Sequence, residues 1–146
     1  MLRALELMAT FAATLFAGAA LYINVAEHPS RMSLETRIAA MQWAPSYQRA
    51  TLLQAPLAVL SSLSGIAAWL VGASLAWLVA ALLIGSVVPF TLLVVMPTNR
   101  KLLDPGRDLA AAETRKLLEQ WNRLHAVRTV LSFVASILYL WLLRET

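Results

Sequence analysis

A chain of 146 residues that is 60% hydrophobic and 14% charged, with a mean hydropathy of +0.68, departs from the composition of a soluble domain, where about 25% of residues are charged. A net charge of +4 on so apolar a chain describes the loops of a membrane protein rather than a nucleic-acid surface. With no cysteine there is no disulfide framework, no thiolate metal site and no cysteine nucleophile.

The length suits one domain, read as an all-α, integral membrane four-helix bundle over 1–146, with spans at about 5–27, 51–71, 73–96 and 124–143. Leu7 to Ile23 is an uncharged run between Glu6 and Asn24 that falls slightly short of a hydrocarbon core of roughly 30 Å, so its polar ends must reach the interface. Arg3, the apolar run and Ala17-Gly18-Ala19-Ala20 also have the outline of a cleaved signal peptide. Glu6, the length of the run and the polar cluster that follows favour a retained span.

Thr51 to Val71 and Ala73 to Met96 hold no charged residue, and little more than Gly72 separates them, which predicts a tight hairpin. Pro56 and Pro89 each remove a backbone donor within a span and free the carbonyls of Leu52 and Gly85, near which Gln54 and Thr91 stand as repair groups or cavity lining. Ala13/Ala17, Ser61/Gly65 and Ala81/Gly85 have the small-xxx-small spacing of close helix contact.

Thr129 to Leu143 covers only about 22 Å, so the last span must borrow residues that bring Arg128 and His125 to membrane depth. From Arg107 onward there is neither Gly nor Pro, and Asp104-Pro105 reads as a cap and first-turn pair, which predicts one long helix entering this span. Its first half is amphipathic, with Leu109, Ala112, Leu117, Trp121 and Leu124 near one face; it suits a helix that lies on the bilayer, with a bend between Trp121 and His125, or one that caps the bundle. The long connections Ala26 to Ala50 and Pro97 to Leu124 carry nine Lys and Arg residues against Arg3 and Arg144 on the opposite side, which places both long loops in the cytoplasm.

Chemistry is expected at the long-loop end. Asn24, Glu27 and His28 share one broad helical face if the first helix continues to Pro29, which then ends it. Trp121, His125, Arg128 and Ser132 share another at the same level. An ionisable group in hydrocarbon costs a few kcal/mol, so Arg128 should face the bundle and pair with an acid, and Glu27 is the expected partner. The bland alternative is snorkelling by Arg128 and an interfacial His28. Trp43, Tyr47 and Trp121 read equally as interfacial anchors or as the walls of an apolar slot, and Asn99, just after Pro97, as a turn cap or a site residue. No metal-binding helix motif, phosphate loop or serine elbow is present; Glu27, His28 and His125 are the three candidates for a metal site, although adjacent helical residues point about 100° apart.

The pieces Asn24…Glu27-His28-Pro29, Trp43-x-Pro45-Ser46-Tyr47-x-Arg49, Pro89-Phe90-Thr91…Met96-Pro97-Thr98-Asn99 and Trp121-x-x-Leu124-His125-x-x-Arg128-Thr129 come from all four helices in order. Together they resemble the anthrone-oxygenase-like family of small four-helix membrane proteins, a family of unknown function in bacteria. The resemblance implies oxygen-dependent oxidation of a small hydrophobic phenolic or quinone-like compound, with no cofactor, in a multi-pass protein of a bacterial inner membrane. It carries over Asn24, Glu27, His28, Trp43, Tyr47, Asn99, Trp121, His125 and Arg128 as the motif residues. In that reading His125 is the base, with His28 and Glu27 beside it; Arg128 and Asn99 hold the oxyanion; Asn24, Trp43, Tyr47 and Trp121 line the substrate slot. The expected partners are the lipid bilayer and a small aromatic ligand, with no nucleic acid and with homo-oligomerisation left open. Two alternatives remain: a non-enzymatic module, a carrier or assembly partner locked by a polar cluster between helices one and four; and an ion pathway, for which spans two and three offer too few polar residues.

Overall fold

A computed structural model describes residues 1–145. Four long helices account for nearly all of them: α1 (Leu2–Met32), α2 (Thr36–Leu70), α3 (Leu75–Leu102) and α4 (Ala112–Glu145). All four are long and apolar enough to cross a membrane, the shortest being 28 residues, or about 42 Å of helix. No strand occurs among the described residues. Each helix packs against its neighbours in sequence, and α1 closes on α4. Alanines at 9, 13 and 20 of α1, all without exposed surface, allow close approach on both sides. The opposite faces carry exposed Phe11, Leu63, Leu82 and Ile137, an outward apolar surface that suits lipid and not water.

The α2–α3 connection is the tight hairpin expected, with Gly72 at φ 113°, a backbone conformation that a side chain would strain. The two long connections, in contrast, are mostly helix. Only the few residues around Ser33 to Glu35 separate α1 from α2, because the chain does not stop at Pro29. Before it, Ile23–Glu27 forms a π-helical turn in which the His28 amide bonds to Ile23 O, five residues back. The same device precedes Pro97: Thr91–Val95 is a π turn closed by the Met96 amide on Thr91 O. A proline ring collides with the carbonyl four residues before it; widening the turn just ahead of the ring relieves the collision and lets the helix continue. Asn99 is therefore inside α3 and not a turn cap. Helix α2 likewise passes unbroken through Pro45 and Pro56.

Helix α4 begins at Ala112, later than the Asp104-Pro105 pair suggested, since Asp104 instead closes a local turn on the Gly106 amide at 3.0 Å. It runs as one uninterrupted helix through Trp121 to Glu145. Its first half buries Leu117, Leu118 and Trp121 in the bundle, so the amphipathic stripe is covered by protein.

Two apolar cores result. One, around Phe16, Ala58, Trp77, Ile84 and Tyr139, lies toward the hairpin. The other, around Ile23, Trp43, Val95, Leu118 and Trp121, lies at the long-connection end. Along α2, α3 and α4 a polar layer falls between them, formed by Gln54, by Thr91, and by His125, Arg128 and Thr129, and Asn24 of α1 bonds into it. The small-residue pairs act within the first core. Ser61 Oγ donates to Ala9 O at 2.8 Å and Ser62 Oγ to Ala81 O at 2.9 Å. A Cβ on Gly65 would lie 2.1 Å from the Tyr139 hydroxyl.

Candidate functional site

On α1 the π turn sets the directions of the polar residues. Because its hydrogen bonds span five residues, positions three apart no longer share the face they would share on an α-helix. Asn24 turns to α4: its Nδ2 donates to Asn122 O at 3.1 Å and Asn122 Oδ1 at 2.7 Å, while its Oδ1 meets His125 Nδ1 at 2.9 Å and accepts from Thr129 Oγ1. Glu27 turns to α2, where its carboxylate accepts from Ser46 Oγ and pairs with Arg31.

Arg31, with 3% of its surface exposed, is tied on every side. It bonds Glu27 and Gln42, donates to Ser46 Oγ at 3.2 Å and meets His28 Nδ1 at 3.2 Å. The expected Glu27–Arg128 pair is therefore absent, for a physical reason: the helix carries on past Pro29 and delivers a nearer cation one turn from Glu27. The lock made by this carboxylate joins α1 to α2; at this level α1 is tied to α4 through Asn24, and nearer the helix ends through Arg115 on Met32 O and Arg3 on Leu143 O.

Arg128 is left with a neutral partner. Its Nη2 donates to Gln54 Oε1 at 2.9 Å, its guanidinium lies 5.5 Å from the Phe16 ring centroid, and its Nε is buried with no partner. No carboxylate pairs with it among the described residues. It forms part of the wall of an apolar cavity of about 140 Å³, lined also by Phe16, Tyr47, Thr51, Thr91 and Met96.

The aromatic residues form one linked array. Trp43 stacks on Tyr47 with centroids 5.0 Å apart, Trp121 meets Trp43 edge-on at 5.7 Å, and Trp121 contacts His28 at 5.5 Å and His125 at 5.0 Å. Trp43 and Trp121 are buried, so they are not interfacial anchors, and only Tyr47 of the three lines the cavity. Glu27 and His28 line two separate surface hollows.

Several buried polar atoms here have no partner: Trp43 Nε1, Trp121 Nε1, His28 Nε2, Gln54 Nε2 and both amide atoms of Asn99. Each such group costs about 1–3 kcal/mol relative to a satisfied one, so each calls for a water or ligand partner. Among the described residues no group of three His, Asp or Glu side chains is placed to hold a metal ion. Glu27, His28 and His125 do not converge, since Arg31 and Ser46 hold Glu27 while Arg31 and Asn24 occupy the Nδ1 atoms of the two histidines.

Sequence reasoning missed Arg31, Gln42, Ser46 and Asn122. The i,i+4 spacing of Glu27 and Arg31 was the available signal, hidden by the assumption that Pro29 ends the helix.

Fold and site together define a bundle with four helices able to cross a membrane, a buried polar layer, a half-buried cation and an apolar cavity beside it. A family model described as anthrone oxygenase matches residues 43–138, which is most of the chain, and the chain belongs to that family. Asn24, Glu27 and His28 lie ahead of the matched segment. Anthrone oxygenase tpcL of Aspergillus fumigatus is 44% identical over 78 residues, 51% of this chain and 48% of the relative, so the chain spans about half the length of the curated relative it matches. No solved structure matches.

Proposed function

We propose that this protein oxidises a small, flat, hydrophobic phenol of the anthrone kind with dioxygen, the substrate itself supplying the electrons. The observation that carries the reading is Arg128: a cation with no carboxylate partner on the wall of an apolar cavity is suited to an aromatic ligand that becomes an anion there. Family membership and the name of the fungal relative support the same chemistry.

Removal of the activated carbon-bound proton of an anthrone leaves a carbanion whose charge resides largely on the ring oxygen. His125 takes that proton; Arg128, with Asn99, holds the oxygen; Tyr47 and Phe16 shape the apolar slot, with Trp43 and Trp121 behind it. The carbanion then gives two electrons to dioxygen, forming a carbon–oxygen bond and a peroxide. Loss of water from that peroxide, with the second proton leaving the same carbon, yields the quinone. One dioxygen is consumed and one water released per turnover, and no separate reductant enters.

The test is anthrone-dependent oxygen uptake by detergent-purified protein. His125→Ala is expected to lose turnover while its helicity and thermal transition persist; normal turnover in that variant would overturn the assigned base.

A further inference from the structure

The two histidines, the only two in the chain, are held in opposite tautomers, and the residues that hold them can be named. A neutral imidazole carries its hydrogen on one nitrogen, and which one follows from what the other atom faces. Guanidinium groups only donate, so the Arg31 Nη1 contact at 3.2 Å makes His28 Nδ1 an acceptor and places the hydrogen on Nε2. At His125 the decision passes through Asn24. The Asn122 backbone carbonyl only accepts, so the Asn24 atom facing it at 3.1 Å is the amide nitrogen, and the other atom, the oxygen, faces His125. His125 Nδ1 therefore donates, and Nε2 keeps its lone pair.

We infer that Asn24 and Arg31 are positioning residues that fix one acid–base pair, a proton acceptor at His125 Nε2 and a hydrogen-bond donor at His28 Nε2, on two rings that both pack against Trp121. The donor is open for use: His28 Nε2 is buried and unpartnered, as are the indole N–H groups of Trp43 and Trp121 in the same ring array. With the ring oxygen of the substrate held at Arg128 and Asn99 and its acidic hydrogen at His125, the His28 donor suits a second oxygen substituent, such as the hydroxyl of a hydroxylated anthrone. The assignment of tautomers stands on hydrogen bonding alone; only its use in turnover rests on the function proposed above.

The experiment is nitrogen-15 NMR of the full chain in detergent micelles, with the ring nitrogens of histidine labelled. With two histidines the spectrum holds two ring patterns, which His28→Gln or His125→Gln assigns. We expect the Nε2–H form for His28 and the Nδ1–H form for His125. The same tautomer at both, the reverse pairing, or a doubly protonated ring at either would overturn the inference. Asn24→Leu, which removes the acceptor at similar size, should shift His125 toward the Nε2–H form, leave His28 unchanged and lower kcat at least tenfold with KM nearly constant. An unchanged His125 pattern in that variant would remove Asn24 from the role. Because the NMR result does not depend on turnover, the expected patterns in a protein with no anthrone activity would refute the proposed reaction and leave the tautomer pair standing.

Discussion

Gln54 Oε1 on α2 accepts a hydrogen bond from Arg128 Nη2 on α4 at 2.9 Å, so the neighbour of this half-buried cation is a neutral amide. An amide orients the guanidinium without neutralising it, which keeps the positive charge for a ligand. Gln54→Glu would supply the missing counter-charge. Turnover should fall at least tenfold while the thermal transition holds or rises, read by oxygen uptake and by heating in detergent. Undiminished turnover would show that the charge is not used on a ligand.

Arg128→Gln removes the cation itself. Loss of one preorganised donor to a developing oxyanion lowers kcat by about 10²-fold or more. Oxygen uptake at saturating anthrone measures this directly, and a change confined to KM would assign Arg128 to ground-state binding.

Glu27 and Arg31 act as a unit. Removing one member of a buried ion pair leaves its partner uncompensated and costs roughly 3 kcal/mol, so Glu27→Gln should lower the thermal transition markedly. The coupling partner is the informative part. Glu27→Gln and Arg31→Gln should be strongly non-additive, whereas Glu27→Gln and Arg128→Gln, with no shared partner, should add within about 0.5 kcal/mol.

Gly65 tests the packing of the first core. A Cβ there meets the Tyr139 hydroxyl at 2.1 Å and Ala81 Cβ at 2.9 Å, and Tyr139 has no exposed surface toward which to retreat. Gly65→Ala should destabilise by about 1–3 kcal/mol. Gly65→Ala combined with Tyr139→Phe, which removes the clashing oxygen and its bond to Ser61 O at 3.4 Å, should recover part of the loss in a thermal unfolding series.

The bundle was legible because lipid imposes length and apolarity on each span: the charge-free runs 51–71 and 73–96, and the break at Gly72, correspond directly to α2, α3 and their hairpin. The faces were less legible. Placing Asn24, Glu27 and His28 on one face assumed a regular helix, and a π turn redirected Glu27 from α4 to α2. The ion pairing changed as well: the cost of a cation at membrane depth pointed to Arg128 as the partner of Glu27, whereas the helix that continues past Pro29 puts Arg31 there. His125 and Arg128 did fall at one level on α4 as their spacing required, because that helix is regular there. The role of Gln54 was obscured by Pro56, whose freed carbonyl offered a local use for the amide.

The central claim, that the site ionises its substrate with His125 and holds the anion at Arg128, is tested most directly without oxygen. Under argon, purified protein mixed with an anthrone cannot proceed past the anion, so the bound compound should show the absorption of the deprotonated form at a pH where the free compound is neutral. His125→Ala and Arg128→Gln should each abolish that band. A bound anthrone that keeps its neutral spectrum in the wild-type protein, or a band that survives both substitutions, would contradict it.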